Sequence, residues 1–77
     1  MHSKTLDDLK SDLAQNLKSI RIEKGFAQER LALEAGVDRT VVSKIERAVT
    51  NPSLEILLRL ANQLGVEVGD FLKSSGD

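Results

Sequence analysis

Few side chains in this 77-residue sequence could make or break a covalent bond, whereas many could donate a hydrogen bond. Cys and Tyr are absent and the single imidazole is His2, so no thiolate nucleophile and no Cys- or His-rich metal cage can be assembled. The acids are spread over helical surfaces without a partner that would tune a pKa, so no enzyme, cofactor, metal or small-molecule ligand is expected. One short stretch, GVDRTVVSKIER from Gly36 to Arg47, stands apart. Its Arg39, Thr40, Ser43 and Lys44 carry donors, while Val42 and Ile45 keep the spacing of a buried helix face. Such a face is either ordinary solvated surface or a reading head for a partner such as nucleic acid.

Bulk charge points the other way. Eleven bases against twelve acids leave a net charge of −1, far from the basic excess usual in nucleic-acid-binding domains. The acids are unevenly placed, however: after Pro52, Glu55, Glu67, Asp70 and Asp77 face only Arg59 and Lys73. The preceding residues are nearly balanced, which leaves room for a local basic face. No apolar run approaches the roughly 20 residues that span a bilayer, and the opening MHSKTLDDLK has acids where a secretory signal would be apolar. A cytoplasmic protein with no membrane partner is expected.

The elements that must hold the donors read as helices, because apolar residues recur at three and four and never alternate over a useful length. The chain is short enough that residues 1–77 are expected to form one domain, with flexible ends at 1–5 and 74–77. A long first helix opens at a capping box from Thr5 to Asp8, carries Leu6, Leu9, Leu13, Leu17 and Ile20 on one stripe, and ends at Gly25. Its first two turns extend beyond what a minimal core needs. A second runs from about Gln28 to Ala35 and stops at Gly36; a third opens near Asp38 as N-cap and runs to about Arg47. A fourth, about Leu54 to Leu64, is preceded by Pro52, with Asn51 or Ser53 available as cap. Its apolar band, roughly 200° wide, is broader than one core stripe requires. Val66, Val68, Phe71 and Leu72 supply a short last element.

Two short helices joined by a glycine-containing turn, with small Ala32 where the second helix must approach, form a helix-turn-helix. A larger side chain at Ala32 would wedge the pair apart. Through IRIEKGFAQERLALEAGVDRTVVSKIERAVTNPSLEILLRLANQLGV, the sequence resembles the Cro/CI-type (Xre-like) helix-turn-helix DNA-binding family over roughly Leu13 to Leu72. The DRT run, the small size and the lack of a second domain are most similar to the controller proteins of restriction-modification systems.

The resemblance implies an all-α, lambda-repressor-like five-helix bundle. It also implies a homodimeric transcriptional regulator that sets one recognition helix per subunit into successive major grooves of a pseudo-palindromic double-stranded operator, about 34 Å apart. That helix would be Arg39 to Arg47, with Arg39, Thr40, Val41, Ser43 and Lys44 reading bases. Gln28, Arg47 and Asn51 match positions that hold phosphates, and Arg21 and Glu46 match a partly buried ion pair. Autoregulation and contact with RNA polymerase are further implications of a controller-like protein. Ala27 stands where the family often has a polar cap. After Arg47, glycine and basic residues are common where this chain has Ala48, Val49 and Thr50, so fewer phosphate contacts and a shallower salt dependence are expected.

The breadth of the fourth helix's apolar band suggests a dimer interface drawn from Ile56, Leu60, Val66, Val68 and Phe71, because so small a monomer rarely leaves a large apolar patch wet. A different class of function, an antitoxin that grips a protein partner through the same fold, is the alternative. Such antitoxins usually need extra surface or a flexible tail, and SSGD is short.

Overall fold

A computed structural model of the chain describes residues 3–74. Five helices follow in order: α1 (Leu6–Glu23), α2 (Gln28–Ala35), α3 (Val41–Glu46), α4 (Leu54–Leu64) and α5 (Val68–Phe71). The all-α, five-helix expectation stands. His2 and the outermost residues of both ends lie outside the described residues. Within the ends expected to be flexible, Lys4 pairs with Asp12 and Thr5 is part of a cap.

Three of the five helices start where a side chain satisfies free N–H groups. Thr5 Oγ1 accepts from the Asp8 amide at 3.0 Å, and the Asp8 carboxylate accepts from the Thr5 amide at 3.1 Å, so the capping box at the head of α1 is complete. Ser53, rather than Asn51, caps α4 by accepting from the Ile56 amide at 3.1 Å, and Pro52 lies one residue before that cap. Glu67 and Asp70 form a reciprocal box on α5. The exceptions are α3, whose N-cap is Thr40 rather than the expected Asp38 and makes no side-chain cap hydrogen bond, and α2, whose N-cap Ala27 makes none. At Ala27 that forfeits on the order of 1 kcal/mol.

The core is Leu13 and Leu17 of α1, Leu31 and Ala32 of α2, Val42 and Ile45 of α3, Leu57, Leu60, Ala61 and Leu64 of α4, and Phe71 of α5. α1 packs on α3 and α5, while α2 packs on α3 and α4. Burying each large side chain contributes roughly 1.5–3 kcal/mol. Two residues expected at a dimer interface, Leu60 and Phe71, prove to be core: both are fully buried within the monomer. Leu57, Leu60, Ala61 and Leu64 repeat at three and four along α4, so they share the face that meets α2, and Phe71 fills the space at the bundle's end. Ile56, Val66 and Val68 are half-buried against that core. The broad apolar band of α4 therefore splits into a core stripe and an outer one, where Leu54 is 77% and Leu58 52% exposed.

Asn16 adds a polar clasp. Its Nδ2 donates to the carbonyls of Phe71 at 2.9 Å and Lys73 at 2.8 Å, taking up backbone acceptors that a four-residue helix leaves free at its C-terminal end.

Candidate nucleic-acid interface

The turn between α2 and α3 sets the direction of everything after it. Gly36 has φ 74° and ψ 33°, and the Val37 amide reaches back to the Ala32 carbonyl at 3.0 Å, which closes α2 with a Schellman-type bond. Ala32 is fully buried, so α3 can approach α2 closely. Asp38 then organises the entry to α3: Oδ1 accepts from the Thr40 amide at 2.9 Å and from its hydroxyl at 2.6 Å, and the Asp38 carbonyl accepts from the Val41 amide at 3.0 Å. The Asp38 carboxyl lies below the usual carboxylate range, first because of the Thr40 hydroxyl, then the Thr40 amide, then the nearby Lys44 and Arg39 charges.

Regular α3 is shorter than the Arg39 to Arg47 span expected from sequence. It begins at Val41 and ends at Glu46, because the chain spends Arg39 and Thr40 in the turn that Asp38 stabilises and Arg47 is the C-cap. Arg39 and Thr40 are thereby presented at the leading end of the helix.

The structure brings most of the proposed DNA contacts together. Gln28, Arg39, Thr40, Ser43, Lys44 and Arg47 line one open basin beside α3, joined by Glu29, an acid the sequence reading did not place there. Two residues depart from it. Val41 is half-buried and packs against the core cluster, which leaves less of it for a base methyl. Asn51 lines a separate, mainly apolar groove with Leu6, Leu9, Pro52 and Leu54; the break after α3 carries it away from the basin.

Beneath the basin lies a buried polar network. The Arg21 guanidinium binds Glu46 in a fork, Nε to Oε2 at 2.6 Å and Nη2 to Oε1 at 2.9 Å, while Nη1 donates to the Phe26 carbonyl at 2.7 Å. The two side chains are only 10% and 4% exposed. The hydrogen bond with Glu46 raises the Arg21 pKa above its ordinary value, against the lowering effect of burial. Gln28 joins the same network, its Nε2 donating to Glu46 Oε1 at 3.0 Å. Residues 18 apart on different helices carry no periodic signal of contact, so nothing in the sequence links Gln28 to Glu46.

At the far end of α3, Ala48 has φ 58°, and the Val49 amide bonds the Lys44 carbonyl at 3.2 Å. This is the same closure that Gly36 makes for α2, with a Cβ in the left-handed region.

Comparison with known proteins agrees with this geometry. The helix-turn-helix family profile HTH_3 matches residues 17–71. A "Neisseria hypothetical transcription factor" from Neisseria meningitidis serogroup B is 44% identical over 65 residues, covering 84% of this chain and 61% of the relative's own length. Control protein C.SmaI from Serratia marcescens is 36% identical over 69 residues, covering 90% of this chain and 82% of that protein. Among solved structures, the restriction-modification controller protein C.AhdI from Aeromonas hydrophila superposes with a TM-score of 0.77 at 37% identity, over 80% of this chain and 94% of that one.

Proposed function

Since this chain belongs to the Cro/CI-type helix-turn-helix (HTH_3) family of DNA-binding transcriptional regulators, we propose that it binds a pseudo-palindromic operator as a homodimer and acts as the controller of a restriction-modification system. The observation that supports this reading is the convergence of Arg39 and Thr40, at the leading end of α3, with Ser43, Lys44 and Arg47 further along it on one open face. Arg39 is exposed and outside any ion pair found among the described residues, so its fork is available for guanine. Ser43 and Thr40 supply hydroxyls, and Lys44 and Arg47 supply charge toward the backbone. Among the described residues no helix is long and apolar enough to cross a membrane, and a controller would work in the cytoplasm and stimulate transcription through contact with RNA polymerase.

The dimer surface in this proposal is the outer stripe of α4, Leu54 and Leu58, with half-buried Ile56, Val66 and Val68 nearby in sequence. Large exposed apolar side chains on one helix face favour burial against a second copy. Sedimentation equilibrium at tens of micromolar checks this; a monomer at that concentration removes the dimer from the proposal.

The experiment for the operator itself is selection of bound sites from random DNA, with wild type and Arg39→Ala in parallel. Wild type is expected to enrich a two-fold symmetric motif. The variant should lose preference at one guanine per half-site, worth about 1–3 kcal/mol, and an unchanged motif would remove Arg39 from the reading role.

A further inference from the structure

The buried network under the basin constrains which end of the Gln28 amide faces outward. Glu46 receives Arg21 on both of its oxygens, and a carboxylate held by a guanidinium is ionised and can only accept. The amide group that meets Glu46 must therefore be the NH₂, as the 3.0 Å bond from Nε2 has it. This assigns the amide from chemistry, with no freedom to flip it. One N–H is spent on Glu46. What remains for the basin that Gln28 lines is Oε1 and the second N–H.

A phosphate oxygen only accepts: it can take the remaining N–H, but it has nothing to offer Oε1, which a phosphate contact would leave unpaired. In the major groove the groups that can donate to Oε1 are the exocyclic amines, N6 of adenine and N4 of cytosine, and adenine also offers N7 to the remaining N–H. Thymine O4 and guanine O6 and N7 are acceptors and meet Oε1 unfavourably.

We propose that Gln28, at the first position of α2, reads an amino-bearing base, adenine best, at one position of each half-site, and that Glu46 is the positioning residue that fixes its polarity. The Gln28 backbone N–H, at the head of α2, stays available to a phosphate, so the residue joins positioning and reading in one place. Arg21 acts one step further back: it fixes Glu46, which fixes Gln28. A core ion pair thereby sets the donor-acceptor pattern displayed at the surface.

This inference rests on the operator-binding proposal above, and the test separates the two. From the motif that wild type enriches, the position whose information disappears in Gln28→Ala is identified. An operator is then made in which the adenine there carries hydrogen in place of its 6-amino group. Removing that amine should weaken wild type roughly tenfold, equivalent to about 1.4 kcal/mol, and should leave Gln28→Ala nearly unaffected. Thermal unfolding confirms that the variant is folded; a half-exposed helix-start residue is one the fold tolerates losing. Glu46→Gln, whose amide can face Gln28 either way, should broaden the same position to admit guanine or thymine while the other positions keep their preferences. If Gln28→Ala leaves every position as sharp as before and only weakens binding uniformly, with a shallower salt dependence, Gln28 holds phosphate and the inference is overturned. Equal sensitivity of both proteins to loss of the amine overturns it too. Failure of wild type to enrich any motif overturns the operator reading and this inference with it.

Discussion

The two ends of α3 solve the same problem with different chemistry. At the leading end, Gly36 makes the left-handed turn without a Cβ, and Asp38 fastens the entry with short local bonds to Thr40 on an exposed surface. At the trailing end, Ala48 makes a left-handed closure of the same kind with a Cβ present, and the restraint comes from depth: Glu46, its side chain 4% exposed, is gripped by Arg21 and Gln28. The leading end must present side chains outward, so its fastenings are local and shallow. The trailing end can be tied into the core, and that anchor lets it carry a backbone conformation costing an L-residue about 1–2 kcal/mol.

The contrast predicts a graded series. Breaking the deep anchor should have the largest effect: Glu46→Ala leaves Arg21 buried and uncompensated, and denaturant unfolding should show a loss of about 3–5 kcal/mol. Replacing both partners with apolar residues of similar size should cost less than that single change. Next comes Gly36→Ala, for which we expect a loss of about 1 kcal/mol by the same assay. A Cβ there would sit 3.2 Å from Arg59 Nη1, the movable end of a long side chain, so the positive φ supplies most of the cost. Ala48→Gly should go the other way, a gain of about 0.5–1 kcal/mol. Strain relief exceeds the added freedom of the unfolded chain, and a variant less stable than wild type would contradict the strain assigned to this turn.

The smallest effect concerns pH at the leading end. The folded-state pKa of Asp38 is lowered, so its contribution is present above the ordinary carboxylate value of about 3.9 and is lost as pH falls through the lower folded value. The stability difference between wild type and Asp38→Asn should therefore shrink on going from about pH 5 to 3. Arg21, whose pKa is raised, stays charged throughout that range and contributes no slope there.

Much of the fold was legible because helix ends carry local signals. Thr5 with Asp8, Gly36 and Gly65 mark boundaries through capping and backbone rules that act over a few residues. The leading edge of α3 was less legible: Asp38 was expected as the N-cap, whereas the N-cap is Thr40 and the turn that Asp38 builds delays the regular helix to Val41. Periodicity could not divide the apolar band of α4, since Leu54, Leu58 and Leu60 look alike in sequence and only the position of α2 decides which are buried. Among site residues, Gln28, Arg39, Thr40, Ser43, Lys44 and Arg47 share one basin, whereas Val41 packs against the core and Asn51 lies apart, because the irregular stretch after α3 follows no period that fixes its direction. The place of Glu29 in the basin and the bond from Gln28 to Glu46 needed tertiary geometry.

The Asn16 clasp has a kinetic meaning. It joins backbone 55 and 57 residues downstream to the first helix, whereas α2, its turn and α3 are neighbours along the chain. Local contacts close quickly and distant ones late, since the entropy of a long loop must be overcome first. The helix-turn-helix can therefore take shape before the last turn docks. The clasp governs how long the assembled domain persists more than how fast it forms: loosening it speeds unfolding while leaving the folding rate almost untouched.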